Sequence, residues 1–331
     1  MVWLRSRVGR RSRRGEKVLL ADVVPIVHEL VPGLLTHRRP SVVCVRTTHV
    51  KYLVFDADPT RPVCVVEFGS AERLQRIDAI LSELHRRCPG TAPRPLVCAP
   101  WGPDAAVHIQ EGLPGVPWFR LADTLPTAGS WRALLERAVA VMRRLHTAVT
   151  GVPEWVSTVD VGEALVGQVR LCRENGSPLA PHLLRRIEES GILLSGLATV
   201  PTVWQHGDFS LNNLMVAPDS MAVIDFDEFG LTPMPLHDAF GLALSFQFSQ
   251  NGQCPLSMAE CLEQCVGAAT AAAPFNDAAV RGLLLHHLLW RINQAHGHPT
   301  RAQLRARLAV LAERVTCAPG QGLPAIAAGL A

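Results

Sequence analysis

Three side chains stand at a spacing that could do chemistry. The run Trp204-Gln205-His206-Gly207-Asp208-Phe209-Ser210-Leu211-Asn212-Asn213 carries an acid and, five residues on, an amide. A second acid follows in Ile224-Asp225-Phe226, with Asp227 and Glu228 directly after it. Phosphoryl transfer needs such a set. One carboxylate orients an attacking hydroxyl and accepts its proton, while another carboxylate and an amide oxygen hold Mg2+ against nucleotide phosphates. Both segments border apolar β-type runs, residues 214–216 and 223–224, which predicts a hairpin that fixes the loop.

The elements that must hold these residues follow from periodicity. Residues 22–35 read as a helix, with Pro25 tolerated near its start and Pro32-Gly33 as its stop. Short β-branched runs at 41–45, 52–55 and 63–66 read as strands, with a turn at 56–62 containing Pro59 and Pro62. Residues 71–85 form an amphipathic helix with Leu74, Ile77, Leu81 and Leu84 on one face. Two more strands fit 95–99 and 105–110, joined by Gly102-Pro103-Asp104. The Gly- and Pro-rich stretch 111–118 marks a boundary. Beyond it helical periodicity covers 131–149, with Ser130 as N-cap, then 162–174, 181–194, 258–272, 277–295 and 301–315. Residues 202–230, which hold the chemistry, read as loop and strand.

Composition excludes several classes. Of 331 residues, 48% are hydrophobic and 18% charged, which supports a large buried core and excludes a disordered chain. No apolar run approaches the roughly 18 residues of a membrane span. The N-terminal arginines are not followed by the apolar stretch of a secretory signal. The basic excess is 32 against 29, a net +3, so no nucleic-acid partner is expected. Residues 1–17 form a basic arm, expected to be flexible. Lys17 and Lys51 are the two lysines, so a reaction needing one has two candidates. Nine scattered cysteines include Cys44, Cys64 and Cys98 in apolar runs, which read as buried thiols. Cys261 and Cys265 lie one helical turn apart, but no second pair completes a zinc site. A reducing cytoplasm is the expected compartment.

His206-Gly207-Asp208, Asn213 and Ile224-Asp225-Phe226 together resemble the signature of the aminoglycoside phosphotransferase and choline kinase family. Ile109-Gln110-Glu111-Gly112 resembles that family's hinge, Arg143-Arg144-Leu145-His146 the end of a long helix, and Pro235-Leu236-His237-Asp238 the motif after the metal-binding acid. The resemblance spans roughly residues 40–245. It implies a bilobal protein-kinase-like α+β fold, with a small antiparallel-sheet N-terminal lobe at 21–111 and a mainly helical C-terminal lobe at 112–331, after an arm at 1–20. It also implies ATP (or GTP) and Mg2+ as cofactors. Asp208 becomes the catalytic carboxylate, and Asn213 and Asp225 the metal ligands, with Asp227 and Glu228 nearby. His206 braces the loop, Asp238 ties it to a helix, and the backbone around Gln110, Glu111 and Gly112 meets the adenine.

Two positions depart from the family. The third strand should end in a lysine that pairs with a helix glutamate, but Glu67 and Ile77 stand there, with Asp78 rotated off that face. Unit charges about 4 Å apart interact by roughly 4 kcal/mol at an effective dielectric of about 20, so Glu67 would repel phosphates unless a metal or arginine intervenes. The loop 46–50 lacks glycine, and Ser210 adds no positive charge beside Asp208. In one reading the neutralising charge has migrated to Lys51, Arg46, Arg73 or Arg76. In the other, nucleotide binding is impaired and the domain is a pseudokinase that serves as a partner-binding subunit.

The acceptor is expected to be a hydroxyl of a small molecule, or a peptide Ser/Thr, in antibiotic modification or natural-product biosynthesis. A protein partner is compatible with the basic arm. From residue 232 onward five acids face six arginines, which does not favour a polycationic aminoglycoside. Trp290, Phe246, Phe248 and Phe275 offer rings for a quaternary amine, although core packing is the expected role. His286, His287, His296 and His298 are expected to be helix-surface residues rather than metal ligands.

Overall fold

Alternation of apolar and polar residues builds a sheet with two distinct faces. In this computed structural model, which describes residues 20–37, 39–46, 49–121, 124–195, 199–248, 254–270, 275–297 and 301–317, five antiparallel strands form that sheet. They are β1 (Ser41–Arg46), β2 (Val50–Phe55), β3 (Cys64–Ser70), β4 (Pro95–Pro100) and β5 (Ala105–Glu111), in the spatial order β1-β2-β3-β5-β4. The basic arm lies outside the described residues. The chain divides into two compact units: Met1–Pro117 with Leu214–Asp227, and Trp118–Asn213 with Glu228–Ala331.

In the first unit, one sheet face carries Tyr52, Val54, Cys64, Val66, Val107 and Ile109. They pack with Val23, Ile26 and Val27 of α1 (Leu20–Leu30) into one apolar cluster. Helix α1 stops five residues earlier than its apolar pattern predicts, because Pro32 and Gly33, the latter at φ +81°, turn the chain. Leu35 still reaches the cluster from outside the helix. The opposite face carries Lys51, Glu67 and His108, aligned by the pairings Lys51↔Glu67 and Glu67↔His108. Helix α2 (Ala71–Arg87) buries Leu74, Ile77, Ile80, Leu81 and Leu84. Each such side chain contributes about 1.5–3 kcal/mol by leaving water.

A second sheet orders β10 (Met221–Val223), β9 (Leu214–Val216) and β6 (Val116–Pro117). The β9–β10 pair is the hairpin that the sequence predicts. The cysteine expectation holds for Cys64, which is fully buried, but not for Cys44 and Cys98, which are half-buried. Those two sit on β1 and β4, the edge strands, where one flank of the chain has no neighbouring strand.

The second unit is mainly helical: α3 (Ala128–Thr150), α4 (Val161–Glu174), α5 (Pro181–Leu194), α6 (His237–Gln247), α7 (Met258–Thr270), α8 (Asp277–Gln294) and α9 (Ala302–Cys317). Helix α4 packs on α5 and α8, α8 on α9, and α6 on α7. The N-cap of α3 is Thr127 rather than Ser130. Ser130 is instead the third helical residue of a capping box, its hydroxyl accepting from the Thr127 backbone. Strands β7 (Val156–Asp160) and β8 (Thr199–Val203) pair antiparallel with no strong alternation to announce them. Among the described residues no helix is long and apolar enough to cross a membrane.

Candidate active site

The loop after β8 is fixed from beneath by one buried acid. Asp238, in the first turn of α6, is fully buried. Its Oδ2 accepts the His206 backbone N–H at 2.8 Å and its Oδ1 the Gly207 N–H at 3.0 Å. His146 Nε2 donates to Oδ2 at 2.9 Å. Gly207 has φ +86°, and a Cβ there would meet the Glu228 carbonyl oxygen at 2.6 Å, so no other residue fits. His237 Nε2–H donates to the Gly207 carbonyl at 3.1 Å. His206 is itself fully buried, its ring edge-on to Phe209.

Burial alone would raise the Asp238 pKa, but the His146 hydrogen bond and the neighbouring imidazoles outweigh it and hold the carboxyl below its ordinary value. A depressed folded pKa contributes stability above the unfolded value, and that contribution is lost as pH falls through the folded one. Asp238→Asn therefore loses about 2–3 kcal/mol at pH 7, from buried donors left without an anionic acceptor. The gap to wild type narrows as the medium is acidified below the ordinary carboxylate range. Denaturant melts at pH 7 and at successively lower pH check this.

Above that support, Asp208 is one-third exposed and held at both oxygens. Asn213 Nδ2 donates to Oδ2 and to the Asp208 carbonyl, each at 2.9 Å. Arg291 Nη1, from α8, donates to Oδ1 at 2.9 Å. Sequence reasoning missed Arg291, which lies 83 residues from Asp208 with no motif around it. Trp118 Nε1 donates to Asn212 Oδ1 at 2.9 Å and anchors the same loop.

The histidines expected on the surface of α8 are a correction. His286 and His287 are buried, and burial pushes the first down to about 3 and the second well below its usual value. Residues 282–289 of their helix are buried throughout, so that stretch leaves no face for solvent. His296 is exposed, and His298 lies outside the described residues. Phe246 is core, edge-on to Trp131, and Arg307 covers the Phe248 ring at 4.5 Å.

In the first unit the reversed charge at Glu67 has a partner. Arg73, in the first turns of α2, bonds Glu67 through Nη2 and Asp227 through Nη1 at 2.5 Å. Arg76 Nη1 donates to the Asp227 carbonyl at 3.3 Å. Lys51 Nζ bonds Asp225 Oδ1 at 2.7 Å and approaches Asp227 at 4.0 Å. Ile77 is only 6% exposed and brings no charge to Glu67. The strand–helix pair thus exists with its signs exchanged and its helix member one turn earlier. Asp78 contacts His108 at 3.3 Å, though burial outweighs it and lowers the His108 pKa. Burial also works against the Lys51 ammonium, but Asp225, Glu67 and Asp227 outweigh it and raise the pKa. For Asp227 burial favours the neutral acid, yet Asp225, Arg73 and Lys51 together hold its pKa down. Asp225 has φ +69°, a left-handed backbone uncommon outside glycine.

Two expected contacts sit differently. Arg46 is exposed at the end of β1 and makes none of these ion pairs among the described residues, while Thr47 and Thr48 lie outside them. Gln110 and Glu111 are inside β5, paired with β3 on one side, and the Glu111 N–H donates to Arg94 O at 2.8 Å. The Gly112 N–H donates to Val63 O at 3.0 Å, and its carbonyl accepts from Arg61.

The residues suit Mg2+ chemically. The Asn213 amide nitrogen is spent on Asp208, so its oxygen, the atom a hard cation takes, is what remains to offer. In the first unit, Asp225 and Asp227 separately carry carboxylate oxygens of the kind Mg2+ takes. Among the described residues no three His, Cys, Asp or Glu side chains form a cage by themselves. Mg2+ commonly completes its shell with water and phosphate oxygens.

The chain's fold recurs in known structures. A thermostable variant of the aminoglycoside phosphotransferase APH(4)-Ia, in ternary complex with AMP-PNP and hygromycin B, matches with TM-score 0.60 at 14% identity, over 91% of this chain and 99% of that one. Glucosamine kinase in complex with glucosamine, ADP and inorganic phosphate matches with TM-score 0.57 at 16% identity, over 82% and 78%. The GDP and kanamycin complex of APH(2")-IIIa matches with TM-score 0.57 at 13% identity, over 89% and 98%. At these identities the likeness shows a shared kinase-like α+β fold. No curated protein matches the sequence. The model of the APH phosphotransferase enzyme family matches residues 45–275, more than two-thirds of the sequence, and the chain belongs to that family.

Proposed function

We propose that the protein is an ATP- and Mg2+-dependent O-phosphotransferase that acts on a hydroxyl of a small molecule. The observation that carries this reading is the Lys51–Asp225 bond beside the Arg73–Glu67 pair. A lysine is supplied from β2, and the acid in the family's lysine position is neutralised by an arginine. A cation restored beside Asp225, together with an acid that Arg73 neutralises, removes the repulsion that would otherwise bar phosphates, and this favours nucleotide chemistry over a pseudokinase.

Asp208 receives the acceptor hydroxyl and accepts its proton as the phosphoryl group transfers. Asn213 holds the carboxylate in place, and Asp238 holds the loop. Asn213 and Asp225 are the proposed Mg2+ ligands, and Lys51 is the proposed phosphate-binding cation. When bound, Mg2+ neutralises phosphate charge and fixes phosphate geometry. Neighbours of this fold carry adenine or guanine nucleotides in their structures, so GTP is the competing donor.

Thermal unfolding tests the reading. A ligand that binds only the folded state at 100 times its Kd adds about 2.7 kcal/mol of stability. ATP with Mg2+ at millimolar concentration should raise the melting temperature by several degrees, and ATP with EDTA should do much less. No shift with either ATP or GTP would indicate a pseudokinase that serves as a binding subunit.

A further inference from the structure

The charge that α8 brings to the catalytic loop has no counterpart in the sequence motif. Around the loop α8 is otherwise neutral. His287 meets His237 edge-on, their Nδ1 atoms 3.3 Å apart, and His237 donates to Gly207; both rings have pKa values pushed down by burial, His237 to about 4. Trp290, beside His237, keeps its indole N–H buried with no partner among the described residues. Arg291 is then a permanent cation one hydrogen bond from Asp208, with its side chain one-quarter exposed. One of its five N–H groups is committed to Asp208. Among the described residues the others take no acid, and the acids from residue 232 onward are few.

A hydroxyl received by Asp208 therefore arrives beside a guanidinium with donors to spare. Resting on the phosphotransferase reading above, we infer that Arg291 binds an anionic group of the acceptor, and that the acceptor is a hydroxy compound bearing a carboxylate close to the hydroxyl that is phosphorylated. The planar two-donor edge of a guanidinium matches a carboxylate in a bidentate pair. An acceptor with a cationic amine in that position meets repulsion instead. This separates the present chain from one built around a polycationic acceptor. It also gives Arg291 a task beyond orienting Asp208, since Asn213 already orients that carboxylate from its other oxygen.

The test uses the full chain with ATP and Mg2+ and a matched set of four-carbon acceptors that differ in charge at one end: 4-hydroxybutyrate, butane-1,4-diol and 4-aminobutanol. Phosphorylated product is followed by phosphorus NMR. Turnover should favour the carboxylate by at least tenfold in kcat/KM. Arg291→Gln should raise the KM for 4-hydroxybutyrate by about tenfold or more with a smaller change in kcat, and Arg291→Lys, which keeps the charge but not the fork, should fall between. Equal use of the diol or the amine overturns the inference. So does an unaltered KM in Arg291→Gln, a loss confined to kcat, or a panel in which no carboxylate is favoured. The ATP-dependent thermal shift of wild type reports separately on the phosphotransferase reading, and its presence in Arg291→Gln shows that the variant is folded.

Discussion

Asp208→Asn should lower phosphoryl transfer by about a thousandfold or more while leaving the fold intact. The expectation rests on what the side chain touches. Its carboxylate is one-third exposed and accepts hydrogen bonds from Asn213 and Arg291. Replacing one oxygen by an amide nitrogen removes the negative charge that attracts the acceptor proton. It also places a donor where either Asn213 or Arg291 already donates. Positioned proton transfer contributes about 10²–10⁴-fold, and misorienting the hydroxyl adds to the loss. The stability cost is of a different order, about 1–2 kcal/mol for partly exposed hydrogen bonds. Turnover assays paired with thermal melts separate the two. A variant that keeps its melting temperature and more than a tenth of its activity would show that Asp208 is not the residue that receives the hydroxyl.

The catalytic loop was legible in the sequence because its constraints are local. Gly207 must adopt a positive φ beneath Glu228, Asp208 and Asn213 sit five residues apart on one turn, and the β9–β10 hairpin follows directly. Asp238 could be read as a support because Pro235-Leu236-His237-Asp238 resembles the motif that follows the metal-binding acid in the resembled family. The strands of the five-stranded sheet were legible for the same reason: alternation and β-branching are short-range signals. Arg291 was not, because its contact with Asp208 is made by tertiary packing of α8 and leaves no mark in spacing. Nor was the pair Glu67–Arg73. The family pattern directs attention ten residues past the strand, to Ile77, whereas the guanidinium reaches back from the first turn of α2. The β7–β8 pair was hidden because Val156–Asp160 carries Ser157 and Thr158 on a largely exposed strand, so burial gives it little hydrophobic signature. Buried His286 and His287 were read as surface residues because their polarity outweighed an apolar run that, in the folded chain, leaves α8 covered on most sides.

The relocated lysine makes a prediction of changing sign. Lys51 and Glu67 are directly opposed on β2 and β3, on the same face, with Cβ atoms about 5 Å apart in such a pair. A lysine at either position can therefore carry its ammonium to the same region. In wild type, Glu67→Lys removes the partner of Arg73 and sets a cation between Lys51 and Arg73. Like charges about 4 Å apart cost roughly 4 kcal/mol at an effective dielectric of about 20, so this variant should lose stability and nucleotide affinity. Lys51→Met should lower kcat/KM by about 100-fold, since losing one member of a partly buried charge contact costs about 2–5 kcal/mol and each 1.4 kcal/mol is tenfold. In the Lys51→Met background the same Glu67→Lys change meets one cation fewer and restores the missing charge, and it should recover at least tenfold of the lost kcat/KM. Nucleotide titration and turnover of the wild type, both single variants and the double variant complete the cycle. If Glu67→Lys is harmful in both backgrounds by the same factor, the two positions do not share a task, and Lys51 is a structural partner of Asp225 rather than the cation that meets the phosphates.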